Sequence, residues 1–140
     1  MMASIQGSNT KPERAVRSIL HSLGFRFRLH RKDLPGKPDV VLPRHNLAVF
    51  VHGCFWHRHP GCRYTYTPKS NGIFWRRKFH DNCSRDQRAL KELHDLGWRT
   101  LVVWECHLKR IRNLPLMAKR LEKAVRSKTE HTEIPLIVDR

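Results

Sequence analysis

The stretch DVVLPRHNLAVFVHGCFWHRHPGC, residues 39–62, decides how the chain is read. Its first half holds two short apolar runs, DVVL (39–42) and LAVFV (47–51), on either side of PRHN. They read as a hairpin, and their unbroken apolarity calls for burial on both faces of a sheet. Its second half, VHGCFWHRHPGC (51–62), crowds His52, Cys54, His57, His59 and Cys62 around Phe55 and Trp56. A buried hairpin therefore runs directly into a segment built for metal binding or proton transfer.

Outward from this stretch, the chain alternates helix and strand. TKPERAVRSILHSLGF (10–25) reads as a helix with Thr10 as cap and Glu13 completing a capping box. Val16, Ile19, Leu20 and Leu23 give it an apolar face, and Gly24 ends it. FRFRL (25–29) alternates apolar and basic residues, as a half-buried strand does. Beyond the loop TPKSNG, a long helix is expected from about Ile73 to Leu96, stopped by Gly97. TLVVWE (100–105) reads as a buried strand, and about 116–125 as a last amphipathic helix. The expected fold class is α/β, a mixed central sheet flanked by helices. A single domain spans 1–140, with its core at about 8–126 and a weakly patterned polar tail at 127–140.

Composition narrows the partners. Lys and Arg number 28 against 12 Asp and Glu, a formal net charge of +16. That excess favours a polyanion, nucleic acid before an anionic membrane surface. No run is long enough to span a bilayer, and no signal-like apolar segment leads the chain. The expected compartment is the cytoplasm, where four cysteines act as thiolate ligands or buried thiols rather than disulfides.

The ligand arithmetic favours one closed zinc site. Cys54, His59, Cys62 and Cys106, the last just after a predicted strand, supply four soft or borderline donors. His52 and His57 are left over. Cys83 falls on the apolar stripe of the long helix and reads as a core thiol. The same stripe contains Phe79, Asp86, Leu90 and Leu93, so Asp86 is a carboxylate among apolar neighbours. It needs a cation, a donor or a structural salt bridge, and sequence leaves these open. Asp39 opens its strand behind PGKP, either as a turn cap or as an acid at the sheet edge. For Glu13 the cap is the favoured reading. Phe55, Trp56, Phe74 and Trp75 sit among basic residues, a pattern suited to rings that wedge into DNA while cations meet phosphates, or to core packing.

Four ordered motifs carry a family likeness: LPGKPDVVLP, AVFVHGCFWHRHPGC, FWRRKFHDNCSRD and GWRTLVVWEC. Over about residues 8–107 the chain resembles the very-short-patch repair (Vsr) mismatch endonucleases. The resemblance implies a restriction-endonuclease-like core with a structural zinc site. It implies an enzyme that nicks one strand of double-stranded DNA 5′ to the thymine of a T:G mismatch, the product of 5-methylcytosine deamination. By the same resemblance, Asp39 and the Val51 backbone carbonyl would hold catalytic Mg²⁺. His57 would be the general base, with Glu13, His52 and Asp86 around the metal. Cys54, His59, Cys62 and Cys106 would hold structural Zn²⁺. Phe55, Trp56 and Trp75 would wedge at the mismatch, and Lys78 and Asn82 would touch the mismatched bases. A monomer on bacterial nucleoid DNA, working beside mismatch-repair proteins, completes the expectation.

Relative to the family, the chain begins close to its first helix, without the longer basic arm of many members. An altered grip on DNA is the expectation. The loop HRHPGC is a residue longer than usual, which changes the spacing around His59. Two other readings share the same residues: a zinc-stabilised DNA-binding module without catalysis, and a same-fold nuclease with different site specificity.

Overall fold

A computed structural model describes residues 10–109 and 114–135. The elements run α1 (Lys11–Ser22), β1 (Arg28–Leu29), β2 (Val40–Leu42), β3 (Leu47–His52), α2 (Cys54–His57), α3 (Gly72–Asp95), β4 (Arg99–Trp104), α4 (Glu105–Leu108), α5 (Leu114–Arg126) and β5 (His131–Ile134). The five strands form one sheet in chain order. β1, β2 and β3 are antiparallel neighbours, whereas β3, β4 and β5 are parallel. The fold is a mixed α/β core, as expected.

The sheet is covered on both faces, which explains the unbroken apolar runs. Val40, Leu42, Leu47, Val49, Leu101 and Val103 face one layer with Val16 and Leu20 of α1 and Met117 and Leu121 of α5. The alternate residues Val41, Ala48, Phe50, Val102 and Trp104 face the other, with Leu93 of α3. A period of two along each strand sends neighbours to opposite faces, so both sets must be apolar.

The long helix α3 and the strands β2, β3 and β4 fall where they were expected, within a residue or so. Two segments differ. Pairing does not begin at Phe25. The Phe25 N–H donates to the Leu20 carbonyl at 3.1 Å, closing α1, and its ring is buried in the core. The chain is free to pair only from Arg28. The polar tail also holds more order than its composition suggests, because residues 131–134 form β5 beside β4. Arg99 organises this return. Its guanidinium donates to the Ala124 and Val125 carbonyls at the end of α5 and to Thr129 beyond it. Trp104 Nε1 then donates to Glu133 at 2.9 Å.

Gly36 fixes the loop before β2. It has a positive φ of 73°, and a Cβ there would come within 2.6 Å of the Ala89 Cβ on α3. Only glycine lets the loop lie this close. That contact sets Asp39, two residues before Val41, against the helix that carries Asp86.

Candidate active site and metal clasp

The parallel pairing of β3 and β4 brings two strand ends together. His52 lies opposite Trp104, so the chain leaving β3 and the chain leaving β4 emerge side by side. The first enters α2 with Cys54 and the second enters α4 with Cys106. Arg58 then adopts a left-handed conformation (φ 56°), which turns the chain back. His59 N–H donates to the Cys54 carbonyl at 3.2 Å, and Cys62 N–H to the His59 carbonyl at 3.3 Å. Thr65 Oγ1 ties the same bend, donating to the His59 carbonyl at 2.9 Å.

The result is a tight cluster. One ligand atom from each of Cys54, His59, Cys62 and Cys106 lies within 4.8 Å of all the others. Cys54 Sγ and Cys106 Sγ are 3.8 and 3.5 Å from His59 Nδ1. A sulfur and an imidazole nitrogen on one tetrahedral ion stand about 3.6 Å apart, given bonds of about 2.3 and 2.1 Å. His59 is 2 % exposed, and its ring stacks on Trp104 with centroids 4.3 Å apart. The thiols compete for charge. The Cys54 thiol, held by its hydrogen bond to Cys106 and by burial, is pushed well up; the same bond pulls Cys106 down to about 4. A bound cation removes that conflict by accepting thiolates directly. The four residues could therefore hold a metal ion, and the longer loop does not displace His59.

On the other side of α2 lies an open cleft of 1230 Å³. Its wall contains Glu13, Asp39, His52, His57, Asp86 and Glu105, with Trp56, Phe74, Trp75, Lys78 and Asn82 around the mouth. Asp39 Oδ2 accepts the Val51 N–H at 2.7 Å. Burial, and then the nearby Glu13 carboxylate, raise the Asp39 carboxyl to about 6, against the pull of the Val51 N–H. Thr10 caps α1 by accepting Glu13 N–H at 3.4 Å. The Glu13 carboxylate goes beyond the cap reading: it is buried, and Oε2 lies 2.7 Å from His30 Nε2.

Next along β3, His52 stacks flat on His57, with centroids 3.9 Å apart and planes 5° from parallel. Burial first, then His57 and His131, hold His52 well below the usual imidazole range, so it is neutral. His57 Nδ1 and Asp86 Oδ2 are 2.6 Å apart. Asp86 thus has the partner its apolar stripe demanded, and the partner is a histidine of the cleft. Asp39, Val51, His52, His57 and Asp86 form one continuous run of contacts.

The rings form a second unit. Phe55 is the hub, with Trp56, Tyr66, Trp75 and Phe79 centroids 4.9 to 5.6 Å away. Phe55, Trp56 and Trp75 are half-buried, whereas Phe74 is 58 % exposed. Lys78 is exposed at the mouth, and Asn82 Nδ2 donates to the Trp56 carbonyl at 3.4 Å. Cys83 is not a core thiol: it is half-buried, with Sγ 3.8 Å from the His57 carbonyl. Sequence reading also passed over His30, Glu105 and Arg58. The β1–β2 register sets His30 opposite Asp39, which no local pattern in the sequence marks. Glu105 accepts the Cys54 N–H at 3.2 Å and stands between clasp and cleft.

This architecture recurs in known proteins. Residues 1–63 match the model of the family described as DNA mismatch endonuclease Vsr. The chain is 56 % identical over 108 residues to the Type II nicking enzyme V.XorIIP of Xanthomonas oryzae pv. oryzae, covering 77 % of this chain and 79 % of the relative. It is 44 % identical to the Type II nicking enzyme V.NmeAIP of Neisseria meningitidis serogroup A, over 90 % of this chain and 87 % of that one. Identity to the DNA mismatch endonuclease Vsr of Escherichia coli is 40 %, over 77 % and 69 % of the two chains. In fold, the catalytic domain of the homing endonuclease I-Bth0305I superposes with a TM-score of 0.56 at 22 % identity, over 85 % of this chain and all of that domain. A binding module without catalysis is thereby set aside, and the chain belongs to the Vsr family of DNA endonucleases.

Proposed function

We propose that the protein nicks one strand of duplex DNA 5′ to the thymine of a T:G mismatch left by 5-methylcytosine deamination, in a Mg²⁺-dependent reaction. The observation that carries this reading is the His57–Asp86 pair, 2.6 Å apart, in the same cleft wall as Asp39. An acid, a base with its orienting carboxylate, and a basic aromatic rim are the parts that phosphodiester hydrolysis on DNA requires.

Asp39 and the Val51 carbonyl are the residues that hold Mg²⁺. A strand residue points its N–H and C=O toward the same edge, and the Val51 N–H already points at Asp39. A carboxyl kept at about 6 by burial gains from a cation beside it. When bound, Mg²⁺ supplies charge to the scissile phosphate and the leaving oxygen. Asp86 fixes the His57 ring through Nδ1, leaving Nε2 to take the proton of the attacking water. His52 stacks behind it, and Glu13 stands beside Asp39 as a second carboxylate near the metal. In-line attack leaves a 5′-phosphate and a 3′-hydroxyl.

Phe55, Trp56 and Trp75 form the wedge at the mismatch, and Lys78 and Asn82 reach its bases. Cys54, His59, Cys62 and Cys106 hold Zn²⁺, supported by donor spacings of 3.5 and 3.8 Å, and take no part in the chemistry. The chain acts as a single endonuclease domain, as a monomer on nucleoid DNA, with mismatch-repair proteins nearby. The bacterial relatives support that setting, and no helix among the described residues is long and apolar enough to cross a membrane.

A second reading keeps the nuclease and changes its site, because two of the relatives above are named Type II nicking enzymes. Oligonucleotide duplexes carrying T:G, C:G and methylated C:G, in Mg²⁺ and in EDTA, separate the two. Nicking of T:G alone, lost in EDTA and lost in Asp39→Asn, is the expected result. Equal nicking of matched DNA overturns the mismatch specificity, and wild-type rates in Asp39→Asn overturn the metal assignment.

A further inference from the structure

Beside Glu13 and Asp39 lies a donor that the resemblance does not mention, His30. Glu13, His30 and Asp39 each offer a ligand atom within 4.8 Å of the other two. Glu13 is 2 % exposed, and Arg17 Nη1 lies 3.8 Å from the same Oε2 that faces His30. Two carboxylates this close repel unless a cation sits with them.

His30 is placed there by its backbone. The β1–β2 register pairs Leu29 with Val40, so the next pair is His30 with Asp39. His30 N–H donates to the Asp39 carbonyl at 3.2 Å. Yet His30 leaves the extended conformation, with φ at 50°. A side chain there costs strain, and strain of this kind gathers at working sites. Its result is an imidazole set against a buried carboxylate.

We propose that Glu13, His30 and Asp39 form one divalent-metal centre in which His30 Nε2 is a direct nitrogen ligand, so that the centre prefers Mn²⁺ to Mg²⁺. This deepens the function proposed above and rests on Asp39 as a metal ligand. Adjacent donors on an octahedral ion with bonds of about 2.1 Å stand about 3.0 Å apart. Glu13 Oε2 and His30 Nε2 stand 2.7 Å apart, so an ion fits between them after an opening of a few tenths of an ångström. To ligate, Nε2 must offer its lone pair, so any proton on it leaves to solvent as the ion enters. Mg²⁺ prefers oxygen ligands and dehydrates reluctantly, whereas the larger transition-metal ion Mn²⁺ loses water faster and accepts an imidazole nitrogen more readily.

The test uses the full chain, zinc-loaded and freed of other divalent ions, titrated separately with Mn²⁺ and Mg²⁺. Mn²⁺ is expected to bind roughly tenfold more tightly. Pulsed EPR of the bound Mn²⁺ should show coupling to a directly bonded imidazole nitrogen. His30→Gln retains a polar group for Glu13; it should lose that coupling and weaken Mn²⁺ binding roughly tenfold. A wild-type spectrum without nitrogen coupling overturns the proposal and needs no variant to fold. Coupling that persists in His30→Gln overturns it as well. The T:G nicking assay separates this claim from the function: nicking with an uncoupled spectrum removes His30 alone, whereas coupling without nicking in any metal keeps the centre and sinks the function.

Discussion

His57 and His59 stand on either side of Arg58, and their surroundings differ in every respect that matters to an imidazole. His59 is buried, stacked on Trp104, and has Nδ1 turned to two thiol sulfurs. His57 is 28 % exposed at its side chain, faces a cleft, and has Nδ1 committed to a carboxylate. The same residue type two positions apart faces thiols in one place and a carboxylate in the other. What separates them is the left-handed turn at Arg58, which points successive histidines to opposite sides of α2. The Cys/His cluster is mostly buried, with Cys106 half-buried at its edge. The cleft is open, and its groups are aligned but accessible. The first makes the second possible, because α2 has only four residues and cannot stand as a helix by itself.

Substitutions can break that division in order of severity. His57→Ala strikes the cleft alone. It should lower the single-turnover nicking rate about 10³-fold while zinc content by metal analysis stays at one per chain. A variant that loses zinc as well would merge the two regions. Cys106→Ser strikes the clasp. Loss of one zinc ligand should empty the site, lower the melting temperature by roughly 10 °C, and carry nicking down with it, because α2 holds His57. Retained zinc and an unchanged melting curve would remove Cys106 from the ligand set.

Asp39→Asn adds a pH signature in the Mg²⁺-free protein. The native carboxyl titrates at about 6, above an unfolded value near 3.8, so the folded state binds the extra proton between them. Stability from this group is therefore lost as pH rises through that window, by about 3 kcal/mol in full. Zinc-loaded and without added Mg²⁺, the Asn variant should melt above wild type at pH 8, with the gap closing near pH 4. A gap that widens toward acid would reverse the assignment. The smallest effect belongs to the rim: Trp75→Ala should weaken duplex binding by about 1 to 2 kcal/mol in a fluorescence titration, with zinc and melting unchanged.

Legibility in the sequence followed the range of the forces involved. The hairpin, β4 and α3 declared themselves because burial on two faces or one stripe is written into consecutive residues. The Cys/His cluster was legible because three of its four residues fall within nine positions, and only Cys106 needed the sheet. Asp86 announced that it required a partner but not which one, since His57 is 29 residues away. His30 lay hidden among Arg28, Arg31 and Lys32, where nothing local separates it from a solvated run. Its meaning comes from Glu13, 17 residues earlier, through a register that pairing alone reveals. β5 was missed for the same reason. His131–Ile134 is polar and short, and it becomes a strand through Arg99 and Trp104, which hold it from outside.

Arg58 does more than turn the chain. Its guanidinium lies 3.8 Å from the centre of the Phe79 ring and donates to the Tyr66 carbonyl at 2.9 Å and Thr67 Oγ1 at 2.8 Å. Phe79 in turn carries Trp75. Any load on that tryptophan therefore reaches, through two contacts, the turn that follows His57. The aromatic face of α3 and the turn that follows the cleft histidine are thus braced by one cation, so neither can shift without the other.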